Sequence, residues 1–107
     1  MAAAARPPVR LTEEEMAAIR RIVAAHFGPE AEVRVFGSRA RPEIRGGDLD
    51  LHVLLPQGPR PPLAVELAAA DALMQAMDEL RVDLLVSVRG EAMAPVEAEP
   101  LRTGVRL

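Results

Sequence analysis

Two apolar runs of this chain begin with carboxylates, and an earlier run ends in a glycine-serine turn. Val33-Arg34-Val35-Phe36 stops at Gly37-Ser38. Nine residues intervene before Asp48-Leu49-Asp50-Leu51, and Val82-Asp83-Leu84 begins the last of the runs. A carboxylate inside an apolar run is costly to bury unless something positive meets it. A fold that accommodates all three must therefore bring them to a place that cations can reach.

The elements around this pattern have their own signals. Residues 1–11 read as a flexible tail in which Pro7-Pro8 blocks helix, and 12–107 as one small domain, which is all that 107 residues allow. Thr12 followed by Glu15 is a capping box, with Leu11 and Met16 placed as a hydrophobic staple. Met16, Ile19, Val23 and Phe27 continue at helical spacing to Gly28-Pro29, which ends the helix. Val33 to Phe36 alternates as a first strand. Residues 39–47 are polar, arginine-rich and closed by Gly46-Gly47, a loop. Asp48 to Leu55 is a second strand, followed by a stiff proline-rich turn over 56–62. Residues 63–79 form an alanine-rich helix, with Leu63, Leu67, Ala70, Leu73, Met74 and Met77 expected on one side. Arg81 to Val88 is a third strand, and Pro95 and Pro100 keep any helix in the remaining tail short. The expected class is α+β: a small mixed sheet of about three strands with helices packed on it.

The motif constrains the topology further. Strand side chains alternate, so Asp48 and Asp50 point one way and Leu49 and Leu51 the other. For Ser38 to face the aspartates, the first and second strands must run antiparallel. For Asp83 to join them, the second and third must run parallel. A parallel crossover needs a dozen or more residues, usually a helix, and 63–79 supplies it.

Carboxylates at one repeat can share Mg²⁺ ions, which favour a few carboxylates together with substrate phosphate oxygens. Two such ions stabilise both the attacking and the leaving oxygen of an in-line displacement. Gly37 lets backbone approach a phosphate closely, and Ser38 adds a hydroxyl. Arg39, Arg41 and Arg45 lie in the intervening loop, suited either to a triphosphate or to solvent. His52 shares a face with Asp48 and Asp50, where a strand-surface or supporting role is favoured over metal ligation. His26 reads as a polar residue at a helix C-terminus. Met74 and Met77 fill core.

Composition narrows the partners. All 13 basic residues are arginine, yet the net charge is −3, so the chain has no sequence-independent attraction to nucleic acid. Without cysteine there is neither a disulfide framework nor a thiolate site. No stretch reads as a signal peptide or a membrane span, and the expected location is the cytoplasm.

The quoted residues resemble the nucleotidyltransferase superfamily to which DNA polymerase beta belongs. Phe36-Gly37-Ser38-Arg39-Ala40-Arg41, Asp48-Leu49-Asp50-Leu51 and Val82-Asp83-Leu84 match its turn, its Asp-x-Asp strand and its later acidic strand. Within it, the chain is most similar to minimal nucleotidyltransferases, the MntA-type antitoxins. The resemblance implies ATP as substrate and Mg²⁺ as cofactor, two ions in all. It implies that Asp48, Asp50 and Asp83 are catalytic and hold metal, with Asp83 also acting as base toward the acceptor hydroxyl. Gly37, Ser38 and Arg39 would bind nucleotide. The implied acceptor is a tyrosine of a partner HEPN-domain (HepT-like) ribonuclease toxin, silenced by the added AMP. The spacer is one residue shorter than is common in antitoxin members, and Gly47 stands where they often have serine. That departure keeps open an antitoxin that inhibits by binding alone, and the shared motif keeps open a subunit that modifies a small molecule such as an aminoglycoside. Little chain remains to build an acceptor pocket, so a second polypeptide or a second copy is expected to supply the acceptor.

Overall fold

The computed structural model describes residues 11–37, 48–78, 80–92, 98, 100 and 102–107. Helix α1 spans Glu13–Phe27. Its expected capping box is formed: Glu15 N–H donates to Thr12 Oγ1 at 3.0 Å, and Thr12 N–H donates to Glu15 Oε1 at 2.8 Å. Leu11 and Met16, the two halves of the staple, are both buried in the core. Ile19 and Val23 continue that stripe, and Gly28 ends the helix at φ +99°.

Strand β1 (Glu32–Phe36) buries Val33 and Val35 and turns Glu32, Arg34 and Phe36 the other way. Strand β2 is Leu49–Leu55, helix α2 is Leu63–Ala76, strand β3 is Val82–Val88 and strand β4 is Val105–Arg106. The sheet order is β3-β2-β1-β4. β1 pairs antiparallel with β2, and β2 pairs parallel with β3, as the motif required. α2 makes the crossover. Both helices join the core formed by Val33, Val35, Leu49, Leu51, Val53, Leu55, Val82, Val86 and Val88. The result is the expected α+β architecture of two helices packed on a mixed sheet.

Three details differ from expectation. The sheet has four strands rather than three, because Arg106 and Val105 pair with Arg34 and Val35. β4 has only two residues, too few to show a period. α2 ends at Ala76 rather than 79, with Met77 as its C-cap and Asp78 at φ +57°. Its expected face holds only in its second half: Leu73 and Met77 are buried and Met74 packs against the core, while Leu63 and Leu67 are 66% and 61% exposed and Ala69 is buried in their place. A helix that is apolar nearly all round carries no strong preference for one face. Packing against α1 and β3 selects it instead.

The second face of the sheet is also covered toward its middle. His52, Leu54 and Ser87 are all buried there. That explains why β2 reads as an almost unbroken apolar run, the mark of a central strand.

Candidate functional site

The site is built by register. Phe36 stands opposite Asp50 across the antiparallel β1–β2 ladder, and Asp50 stands opposite Asp83 across the parallel β2–β3 ladder. All three residues therefore share a face at one end of the sheet. Asp48 immediately precedes β2 and is exposed; Asp50 is half-buried; Asp83 is exposed on the edge strand β3. Leu49 N–H donates to the Arg81 carbonyl at 3.0 Å and fastens the start of β2 to the start of β3.

Gly37 completes the other side. Its φ of +73° lies in the left-handed region, where a β-carbon is disfavoured. A β-carbon there would also run into Asp50 Oδ2. The turn can therefore approach the Asp50 carboxylate this closely only as glycine. Ser38, Arg39, Arg41 and Arg45 lie outside the described residues.

Electrostatics mark Asp50 as the pivot. Burial pushes its carboxyl above the ordinary aspartate range. The charge of Asp83, a hydrogen bond with Asp83 and the charge of Asp48 push it the same way, against an opposing pull from Arg81. Two like charges converge on the Asp50 carboxylate, an arrangement that a cation would relieve. The donors are all carboxylate oxygens, the set that Mg²⁺ favours. Among the described residues no three side chains already form a closed metal-ligating group. The observed unit is the Asp50–Asp83 pair, with Asp48 at its margin. These residues fit a cation held partly by protein and partly by substrate oxygens.

Two features escaped the sequence reading. Arg81 Nε lies 3.5 Å from Asp83 Oδ1. Its position, one strand repeat before Asp83, was a signal that could have found it. Behind Asp50, His52 Nε2 and Ser87 Oγ are 2.8 Å apart in a buried side-chain pair. This corrects the strand-surface reading of His52, which is fully buried and bonded to Ser87. His26 is occupied within its own helix, where Nδ1–H donates to the Ile22 carbonyl at 2.9 Å. It sits at the helix C-terminus, as expected.

Elsewhere, a cleft of about 270 Å³ of mixed character lies beside His26, Phe27, Leu55, Pro56, Gln57 and Val65, at the opposite end of β2 from the carboxylates. Among the described residues no helix is long and apolar enough to cross a membrane.

The family model for the nucleotidyltransferase domain matches residues 16–102, a span that includes α1 from Met16 onward, the Gly37 turn and all three aspartates. The chain belongs to this family, whose reaction is transfer of a nucleotidyl group. No curated protein matches the chain.

Proposed function

We propose that this nucleotidyltransferase domain transfers AMP from ATP, with Mg²⁺, to a tyrosine hydroxyl of a partner HEPN-domain ribonuclease toxin, and so acts as an antitoxin. The observation that carries the metal-dependent part is the Asp50–Asp83 pair, in register on parallel neighbours with Gly37 packed against Asp50. The partner is supported by exposure. Asp83 lies on an edge strand with its side chain 49% exposed, open to an acceptor carried by another molecule.

In this reading Asp48 and Asp50 hold the metal, Asp83 completes the set, and the backbone at Gly37 admits the phosphates, with Ser38 and Arg39 following it. Bound Mg²⁺ supplies charge neutralisation and Lewis-acid polarisation of the phosphate oxygens. The acceptor hydroxyl oxygen attacks the α-phosphorus, and a new oxygen–phosphorus bond forms. The bond from that phosphorus to the bridging oxygen breaks, pyrophosphate leaves, and the hydroxyl proton passes to the Asp83 carboxylate. Most of the catalysis is positioning and charge stabilisation.

Labelled ATP tests the chemistry. Label placed at the α-phosphate is expected on the product of the adjacent gene, and label at the γ-phosphate is not. Label from neither position, with neutralisation retained by Asp50→Asn, would replace transfer by inhibition through binding. Label moved instead to a small hydroxylated compound would favour the small-molecule enzyme.

A further inference from the structure

Arg81 is bound in place by its backbone and loosely held by its side chain. Its carbonyl accepts from Leu49 N–H at 3.0 Å, so its Cα is fixed beside the start of β2. Its guanidinium meets Asp83 Oδ1 at 3.5 Å through Nε, with the two side chains 72% and 49% exposed. The register places Asp50 directly across from Asp83, and Asp48 immediately precedes β2. Arg81 is thus the cation that the described residues put in contact with Asp83, one member of the Asp50–Asp83 pair. An ion pair this exposed is weak and easily exchanged. A divalent ion brings twice the charge and can touch both members of the carboxylate pair.

We infer that Arg81 is the resident counter-cation of the Asp50–Asp83 pair, occupying Asp83 until a divalent metal ion displaces it. The inference rests on the metal-binding reading given under Proposed function. Arg81 offsets part of the negative charge of the apo pair, and for the same reason it competes with the metal. It is a positioning residue, since it acts through Asp83. Removing its charge makes the metal bind more tightly, the opposite of what loss of a structural support would do.

Binding of Mn²⁺ to the full chain without nucleotide is the direct test, read by loss of the sharp electron paramagnetic resonance signal of the free aqueous ion. Arg81→Gln is expected to bind Mn²⁺ about three- to tenfold more tightly than the unaltered protein. Arg81→Lys, which keeps the charge, is expected to stay within about twofold. Unchanged or weaker binding by Arg81→Gln overturns the inference, as does tightening of the same size in Arg81→Lys. Asp50→Asn separates the two levels. If the unaltered protein binds Mn²⁺ and Asp50→Asn loses it, the metal reading stands whatever Arg81 does. If the unaltered protein binds none without nucleotide, this inference fails while the metal reading is still judged by transfer from labelled ATP; if Asp50→Asn binds equally well, both fail.

Discussion

Asp50 and Asp83 stand opposite each other on parallel neighbouring strands, thirty-three positions apart in sequence, and the Asp83 charge helps hold the Asp50 carboxyl above its ordinary range. The helical crossover that makes the strands parallel is also what brings the two carboxylates together. Fold and candidate chemistry here have one cause.

The pair should cost the protein stability. Asp50 holds its proton more tightly folded than unfolded. Nothing is lost below the unfolded aspartate pKa, where both states are protonated. The penalty grows as pH rises through the folded pKa and is complete above it. Asp50→Asn is therefore expected to unfold at a higher temperature than the unaltered protein near neutral pH. The gap should close as pH falls through that window. Thermal melts across pH check this, and a gap that widens on acidification would contradict it.

Glu32 has the opposite sign. Burial pushes its carboxyl up, but the hydrogen bond from Arg89, the charge of Arg106 and the bond from Arg34 outweigh it, and the group lies below the ordinary glutamate range. Arg34 Nη1 donates to Oε1 at 3.1 Å and Arg89 Nη2 to Oε2 at 2.5 Å. Its stabilisation is complete above the unfolded glutamate pKa and is lost as pH falls through the folded one. Glu32→Gln is expected to cost about 1 kcal/mol at neutral pH, less in high salt because the arginines Arg89 and Arg106 are largely exposed. Denaturant unfolding at two salt concentrations measures it.

Gly37→Ala joins two penalties, a left-handed backbone that costs about 1–2 kcal/mol and a β-carbon placed on Asp50 Oδ2. The carboxylate must shift, so transfer should fall further than stability alone explains. Repeating the substitution in an Asp50→Ala background removes the clash and leaves the backbone cost. Equal stability losses in both backgrounds would show that Gly37 and Asp50 do not interact.

The His52–Ser87 pair is buried on both sides, with His52 0% and Ser87 1% exposed. Ser87→Ala should cost about 1–3 kcal/mol by deleting a bond that water cannot replace. The double variant His52→Leu with Ser87→Ala should lose less than the sum of the two single changes. Additive losses in unfolding experiments would mean the bond contributes nothing.

What the sequence made legible was local. Thr12 and Glu15 announce a helix start by side-chain chemistry that needs no tertiary partner, and Gly28 announces its end. The aspartate spacing, combined with handed crossover rules, was enough to orient three strands. β4 was missed because Val105 and Arg106 become a strand only through β1, about seventy residues earlier. The face of the first half of α2 was misplaced because Leu63 and Leu67 look as apolar as Leu73 and Met77, and only the neighbours decide between them. The His52–Ser87 contact joins residues 35 apart on different strands, and no spacing rule reports it.

The central claim, that Asp48, Asp50 and Asp83 together carry metal-dependent AMP transfer, is tested most directly by intact-mass spectrometry of the adjacent-gene product after incubation with this protein, ATP and Mg²⁺. A gain of one or more AMP units is expected, reduced about a thousandfold in rate or more by Asp50→Asn and by Asp83→Asn. An equal gain with both variants would contradict the account, as would a stable complex of the two proteins with no gain at all.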